Sequence, residues 1–152
     1  MEKKVIITHE VYVNFKLAKL LKEAGFDWQV SAHWVETNKE KETAIVLPKR
    51  PCLYNLLTVV DPDCDIFNCC IKNWNAVEDE FQFYYSAPLL AVAQDWVREV
   101  LEVNVEVHQE FPGCFTAWIT GTDGPHKTFR TYNAALEAGL IKAIHFYKKY
   151  GK

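Results

Sequence analysis

The sequence predicts an α+β domain, a mostly antiparallel sheet with three main helices packed on it, closing in an α-β-β-(β)-α unit. Three observations lead there. Segments at about 14–24, 87–101 and 132–149 repeat apolar residues three and four apart, with capping residues at their ends. Segments 26–36 and 103–109 alternate apolar and polar residues, the period of a half-buried strand, and 114–121 reads as a strand returning after a turn. The turn sequences FPG (111–113) and TDGP (122–125) are short, which favours antiparallel neighbours over crossovers.

The first element is a short strand, VIITH (5–9). Helix one follows, with Asn14 as N-cap and Leu17, Leu20, Leu21 and Ala24 on one face. Lys16, Lys19, Lys22 and Glu23 lie off that face, Gly25 supplies a left-handed stop, and Phe26 folds back on the last turn. In 26–36, Phe26, Trp28, Val30, Ala32 and Trp34 share one strand face; Asp27, Gln29, Ser31 and His33 share the polar one. Residues 37–85 form a variable, irregular middle. Within it TNKEKET (37–43) reads as a loop tip and TAIVL (43–47) as a strand against 28–36. Pro48 and Pro51 interrupt any central strand, and CLYNLLTVV (52–60) fits either a strand or a short helix. One strand near Phe67–Trp74 and an extended FQFYY (81–85) complete the region.

Helix two takes Ser86 near its N-cap and Pro88 in its first turn, with Leu89, Val92, Ala93, Trp96, Val97 and Val100 as its stripe. Val103, Val105 and Val107 then alternate with Asn104, Glu106 and His108, CFTAWITG (114–121) returns, and KTFR (127–130) adds a third short strand. Thr131 caps helix three, whose buried face runs Tyr132, Ala135, Leu136, Gly139, Leu140, Ala143, Ile144 and Tyr147. A mid-helix glycine costs about 1 kcal/mol relative to alanine. Gly139 on the apolar stripe therefore marks a close approach to another element. Lys148 and Lys149 suit the negative end of the helix dipole. Ile141 and Phe146 fall off the stripe and form the candidate interaction surface, for a protein partner or a second copy.

Residues 1–152 read as one domain without repeats or low-complexity linkers. With 49% hydrophobic and 14% aromatic residues the chain can bury a core, which argues against disorder. The net charge is −3, all of it in residues 1–85, and residues 86–152 are neutral, so neither half presents a strongly basic surface. MEKKVIITHE lacks a long apolar run and a cleavage pattern, no 18-residue apolar stretch follows, and the cysteine count of five is odd. The expectation is a cytoplasmic protein with reduced thiols and no membrane contact.

VNFKLAKLLKEAGFD (13–27), SAPLLAVAQDWVREVLEVNVEV (86–107) and TYNAALEAGLIKAI (131–144), taken together, resemble a group of small uncharacterised proteins encoded by phages, prophages and other mobile elements of gut bacteria. The segments, about a third of the chain, occur in the same order. The group has no established activity, so the resemblance implies a genomic context and no catalytic residues. Val97 and Leu101 stand where leucine and histidine often occur, and Asn133 and Ala134 replace the usual acidic pair.

The densest chemistry is DPDCDIFNCCIKNW (61–74). Cys64, Cys69 and Cys70 are weak metal candidates: zinc sites use two spaced pairs, and adjacent residues on a strand point to opposite faces. Asp61, Asp63 and Asp65 open like a calcium loop, but Ile66 and Lys72 occupy the positions of its glycine and glutamate. Five cysteines and five histidines specify no particular nucleophile–base pair, EDE (78–80) reads as a surface charge run, and no phosphate-binding or hydrolase motif occurs. No catalytic residue, cofactor or small-molecule ligand is assigned. Residues 86–150 share the element order of a double-stranded-RNA-binding domain, yet TYNAALEA carries no lysine where that fold holds phosphates, which argues against nucleic acid. The reading is a non-enzymatic accessory or protein-interaction protein of phage or mobile-element origin. The alternatives are a nucleic-acid-binding module and a small thiol or hydrolytic enzyme with an unrecognised site.

Overall fold

The computed structural model describes residues 11–38, 51–55, 71–122, 124 and 127–151. The strands expected at 5–9 and 43–47 and the Cys64, Cys69 and Cys70 cluster lie outside them. The fold is α+β, with three α-helices and five antiparallel strands among the described residues.

Helix α1 (Phe15–Ala24) begins where the Asn14 Oδ1 accepts the Leu17 N–H at 2.8 Å. It ends at Gly25, φ 97°, with Gly25 N–H donating to Lys22 O and Phe26 N–H to Leu21 O. This is the paired closing bond of a left-handed stop, and it seats Phe26 in the core.

The strands divide between two sheets, because β4 and β5 pair with each other and not with the other three. In the first sheet β1 (Ala32–Thr37) lies between β2 (Cys52–Asn55) and β3 (Gln82–Ser86), both antiparallel to it. On the face towards α1, the Phe15 ring meets Trp34 and Tyr85 edge-on at 5.8 and 5.3 Å, and Trp34 Nε1 donates to Val13 O.

Three expectations change in this region. The strand begins at Ala32 rather than Phe26, since 26–31 first leave the helix cap and then pair only at Val30, with Lys72. Lys72 is followed by a single 3-10 turn, Trp74–Ala76, in place of a strand reaching Trp74. His33 is buried instead of lying on a polar face, because Trp74 covers that side of the sheet.

Helix α2 (Leu90–Val100) starts later than its sequence suggests. Ser86 does not cap it. Ser86 ends β3, where Asn75 Oδ1 accepts its N–H at 2.8 Å and its Oγ accepts the Asn75 N–H at 3.2 Å. Pro88 precedes the helix, and its carbonyl accepts the Val13 N–H. Trp96 is completely buried against Phe26, with ring centres 5.3 Å apart, whereas Val100 is exposed despite its place on the stripe.

The second sheet is the hairpin β4 (Val105–Phe111) and β5 (Cys114–Ile119), joined through Pro112 and Gly113, the latter at φ 72°. The third strand expected at 127–130 is reduced to one bridge, Phe115 with Phe129. Helix α3 (Tyr132–Tyr150), capped by Thr131, packs on this hairpin and on α1 and α2. A Cβ on Gly139 would stand 2.8 Å from both Ala117 Cβ and Val105 Cγ1, so the glycine sets the helix–hairpin distance. Tyr132, expected on the buried face, is exposed at the helix start. No helix among the described residues is long and apolar enough to cross a membrane.

Candidate functional site

Two groupings of chemistry-bearing side chains emerge, one inside the first sheet and one on the outer surface of the hairpin.

The inner one centres on His33. Cross-strand pairing puts Tyr54 beside it and Tyr84 beside Val35, on the same face of the sheet. Trp74 lies flat over the imidazole with ring centres 3.7 Å apart, held by its Nε1 donating to Val30 O at 3.0 Å. Tyr54 and Tyr84 flank the stack at 5.8 and 5.7 Å, and Lys72 Nζ sits 4.4 Å from the Trp74 ring centre. His33 is 4% exposed, and no group among the described residues hydrogen-bonds to its Nδ1. Burial, with the Lys72 charge adding to it, pushes the imidazole down to about 4. At neutral pH this is an uncharged ring sealed by an indole. General acid–base work needs a substrate within hydrogen-bond reach of the imidazole, and Trp74 occupies the approach. The cluster is a packing device that fixes the sheet to the 71–77 segment.

The outer grouping arises from strand alternation. Val105, Val107, Ala117 and Ile119 line the side of the hairpin that faces α3, so Glu106, His108, Thr116 and Trp118 come together on the opposite side. Trp118 Nε1 donates to Thr116 Oγ1 at 3.1 Å, and that hydroxyl donates to Glu110 Oε1 at 3.3 Å. Thr116 is buried beneath these neighbours, while the indole remains 41% exposed. His108 lies 5.6 Å from the indole, with its Nε2 3.2 Å from Glu106 Oε2. Asn104 Nδ2 donates to the other Glu106 oxygen at 3.0 Å. These bonds, the one from His108 first, hold the Glu106 carboxyl below its ordinary value. At the tip of the hairpin Phe111 is 70% exposed. The result is an indole fixed in place at the surface near two carboxylates, with a second exposed ring, Phe111, at the far end of the same hairpin.

Sequence patterning separates Glu106 and His108 from the buried valines but does not single out Trp118. The signal is present: in CFTAWITG, Thr116 and Trp118 share one parity and Phe115, Ala117 and Ile119 the other. Ile141 and Phe146, the surface expected from sequence, are both partly buried against the core. Five residues apart, they stand about 140° from one another around the helix. Phe146 packs towards Gly121 and Tyr150. Among the described residues Cys114 is a free, half-buried thiol. Among the described residues no three His, Cys, Asp or Glu side chains converge on a point that would hold a metal ion.

Comparisons of the chain with protein-family models, with curated proteins and with solved structures find no significant match.

Proposed function

We propose that the chain is a non-enzymatic interaction protein that engages a protein partner through the outer face of the β4–β5 hairpin. The observation carrying this reading is Trp118: a large, exposed ring held in one orientation through Thr116 and Glu110. Tryptophan is enriched among the residues that dominate binding energy, and an ordered ring loses little freedom when a partner covers it. The flanking carboxylates of Glu106 and Glu110 favour a partner segment bearing lysine or arginine, whose cation also stacks on indole. The partner is a basic segment of another protein or of a second copy. A bacterial cytoplasm and a phage or mobile-element origin belong to the same proposal and rest on the sequence resemblance.

The test is site-specific photo-crosslinking in the expressing cell, with a benzophenone amino acid at position 111, the exposed tip of the hairpin, or at position 99, on the exposed side of α2. The reading expects a discrete crosslinked species from position 111 only, lost on adding Trp118→Ala or on charge reversal of Glu106 and Glu110. Equal background from both positions, together with a monomer at all concentrations in sedimentation, rejects it.

A further inference from the structure

The opposite side of the same hairpin has a different chemistry. Between β5 and α3 lies a pocket of about 250 Å³. Its base is lined by Ala117, Ala138 and Gly139, where the helix lies close against the strand and small side chains leave the hollow beside the contact open. Ile119 and Phe129 form its apolar walls. The hollow exists because pairing beyond β5 is confined to one residue. Phe115 and Phe129 exchange both backbone hydrogen bonds, each at 2.8 Å, and among the described residues no strand continues along Ala117 and Ile119. Alternation along β5 also turns the Ala117 N–H towards the edge that Phe115 uses.

Two exposed lysines are among the lining residues. Lys127 comes from the segment after the hairpin and Lys142 from the next turn of α3, so they flank the pocket from separate elements. Lys127 Nζ stands 5.6 Å from the Phe129 ring centre, which holds it over the apolar wall. Neither lysine is in a salt bridge among the described residues, where the ion pairs are Arg98–Asp95, His108–Glu106 and Lys148–Glu23. A mostly apolar hollow lined by two exposed lysines is complementary to an anion with an apolar body.

We infer that this pocket binds a small amphiphilic carboxylate, its hydrocarbon part against Ala117, Ala138 and Phe129 and its carboxylate between Lys127 and Lys142. Size limits the ligand. An apolar cavity of about 150 Å³ accommodates benzene, so this volume takes about ten non-hydrogen atoms, the size of octanoate. Ligands of that size in a partly open pocket bind with Kd on the order of 0.1–1 mM. The inference uses the face of the hairpin turned away from Trp118, so it stands or falls apart from the proposed protein contact.

The experiment is a titration of the ¹⁵N-labelled full chain with sodium octanoate at low salt and neutral pH, followed by amide shifts. Saturable shifts confined to 115–119, 127–130 and 135–143 are expected. Lys127→Gln with Lys142→Gln should weaken binding by about fivefold or more, since each removes one charge contact at the mouth. Ala138→Leu, which fills the floor, should abolish binding while the melting temperature is retained, and octanol should bind more weakly than octanoate. Absence of saturation by about 5 mM, well above the Kd such a ligand would have, overturns the inference. So does octanol binding as tightly as octanoate, or octanoate binding unchanged in the double lysine variant, whose exposed positions leave the core untouched.

Discussion

The Glu137 carboxylate receives Asn14 twice, from the side-chain Nδ2 at 2.7 Å and from the backbone N–H at 3.3 Å. The same asparagine caps α1 through its Oδ1. One residue thus begins a helix and ties it to α3, 123 positions away.

Asn14→Ala should lower stability by about 2 kcal/mol, combining a lost cap of about 1 kcal/mol with a partly buried hydrogen bond to a charged group. Asn14→Asp separates the two roles. Aspartate caps as well as asparagine but places a second carboxylate against Glu137, so its loss should be large at pH 7 and shrink as the pH falls through the carboxylate range. Urea denaturation at pH 7 and pH 4.5 measures both. If Asn14→Asp proved as stable as wild type at pH 7, the link to α3 would contribute nothing.

His33 should make stability fall on mild acidification. Its value is about 4 in the folded protein against 6.5 for the ordinary imidazole, so the unfolded chain takes the proton first. The contribution is complete above pH 6.5 and is lost progressively as the pH falls towards 4. At about 1.4 kcal/mol per pKa unit the full loss is on the order of 3 kcal/mol. His33→Phe keeps a ring against Trp74 without a proton to gain, so its denaturation midpoint should change less between pH 7 and pH 4.5. Parallel curves for the two proteins would contradict the buried neutral state.

Gly139→Ala should destabilise, although alanine is the better helix former. The added methyl would meet Ala117 and Val105 at 2.8 Å, and overpacking of this kind costs about 1–3 kcal/mol. Adding Val105→Ala removes one of the two clashes, and the pair should be less destabilised than the sum of the single changes. A thermal melt of Gly139→Ala at or above the wild-type midpoint would mean that the hairpin yields freely to the helix.

The exposed start of α3 presents Tyr132, Asn133 and Ala134, with no lysine. Despite the shared element order, a short RNA duplex should give no discrete shift with about 10 µM protein at about 50 mM salt. A complex that weakens steeply with added salt would restore the nucleic-acid alternative.

The legible features were those written within a few consecutive residues. Asn14 and Thr131 cap, Gly25 and Phe26 close α1, and the alternation at 103–109 with the FPG turn and the returning 114–121 yields the hairpin, because each depends on hydrogen bonds, side-chain parity or turn residues across a short stretch of chain. Gly139 was legible for a related reason, since a costly residue on a buried stripe implies a close neighbour. What covers each surface was decided by chain far away in sequence. Trp74 seals the side of β1 that alternation assigned to solvent, Asn75 draws Ser86 out of the helix and into β3, and the confinement of pairing to Phe115 and Phe129 opens the pocket above Gly139. A pattern of polar and apolar residues says which side of a strand prefers water. Whether water reaches that side depends on which distant segment packs there, and that choice is made only in the folded molecule.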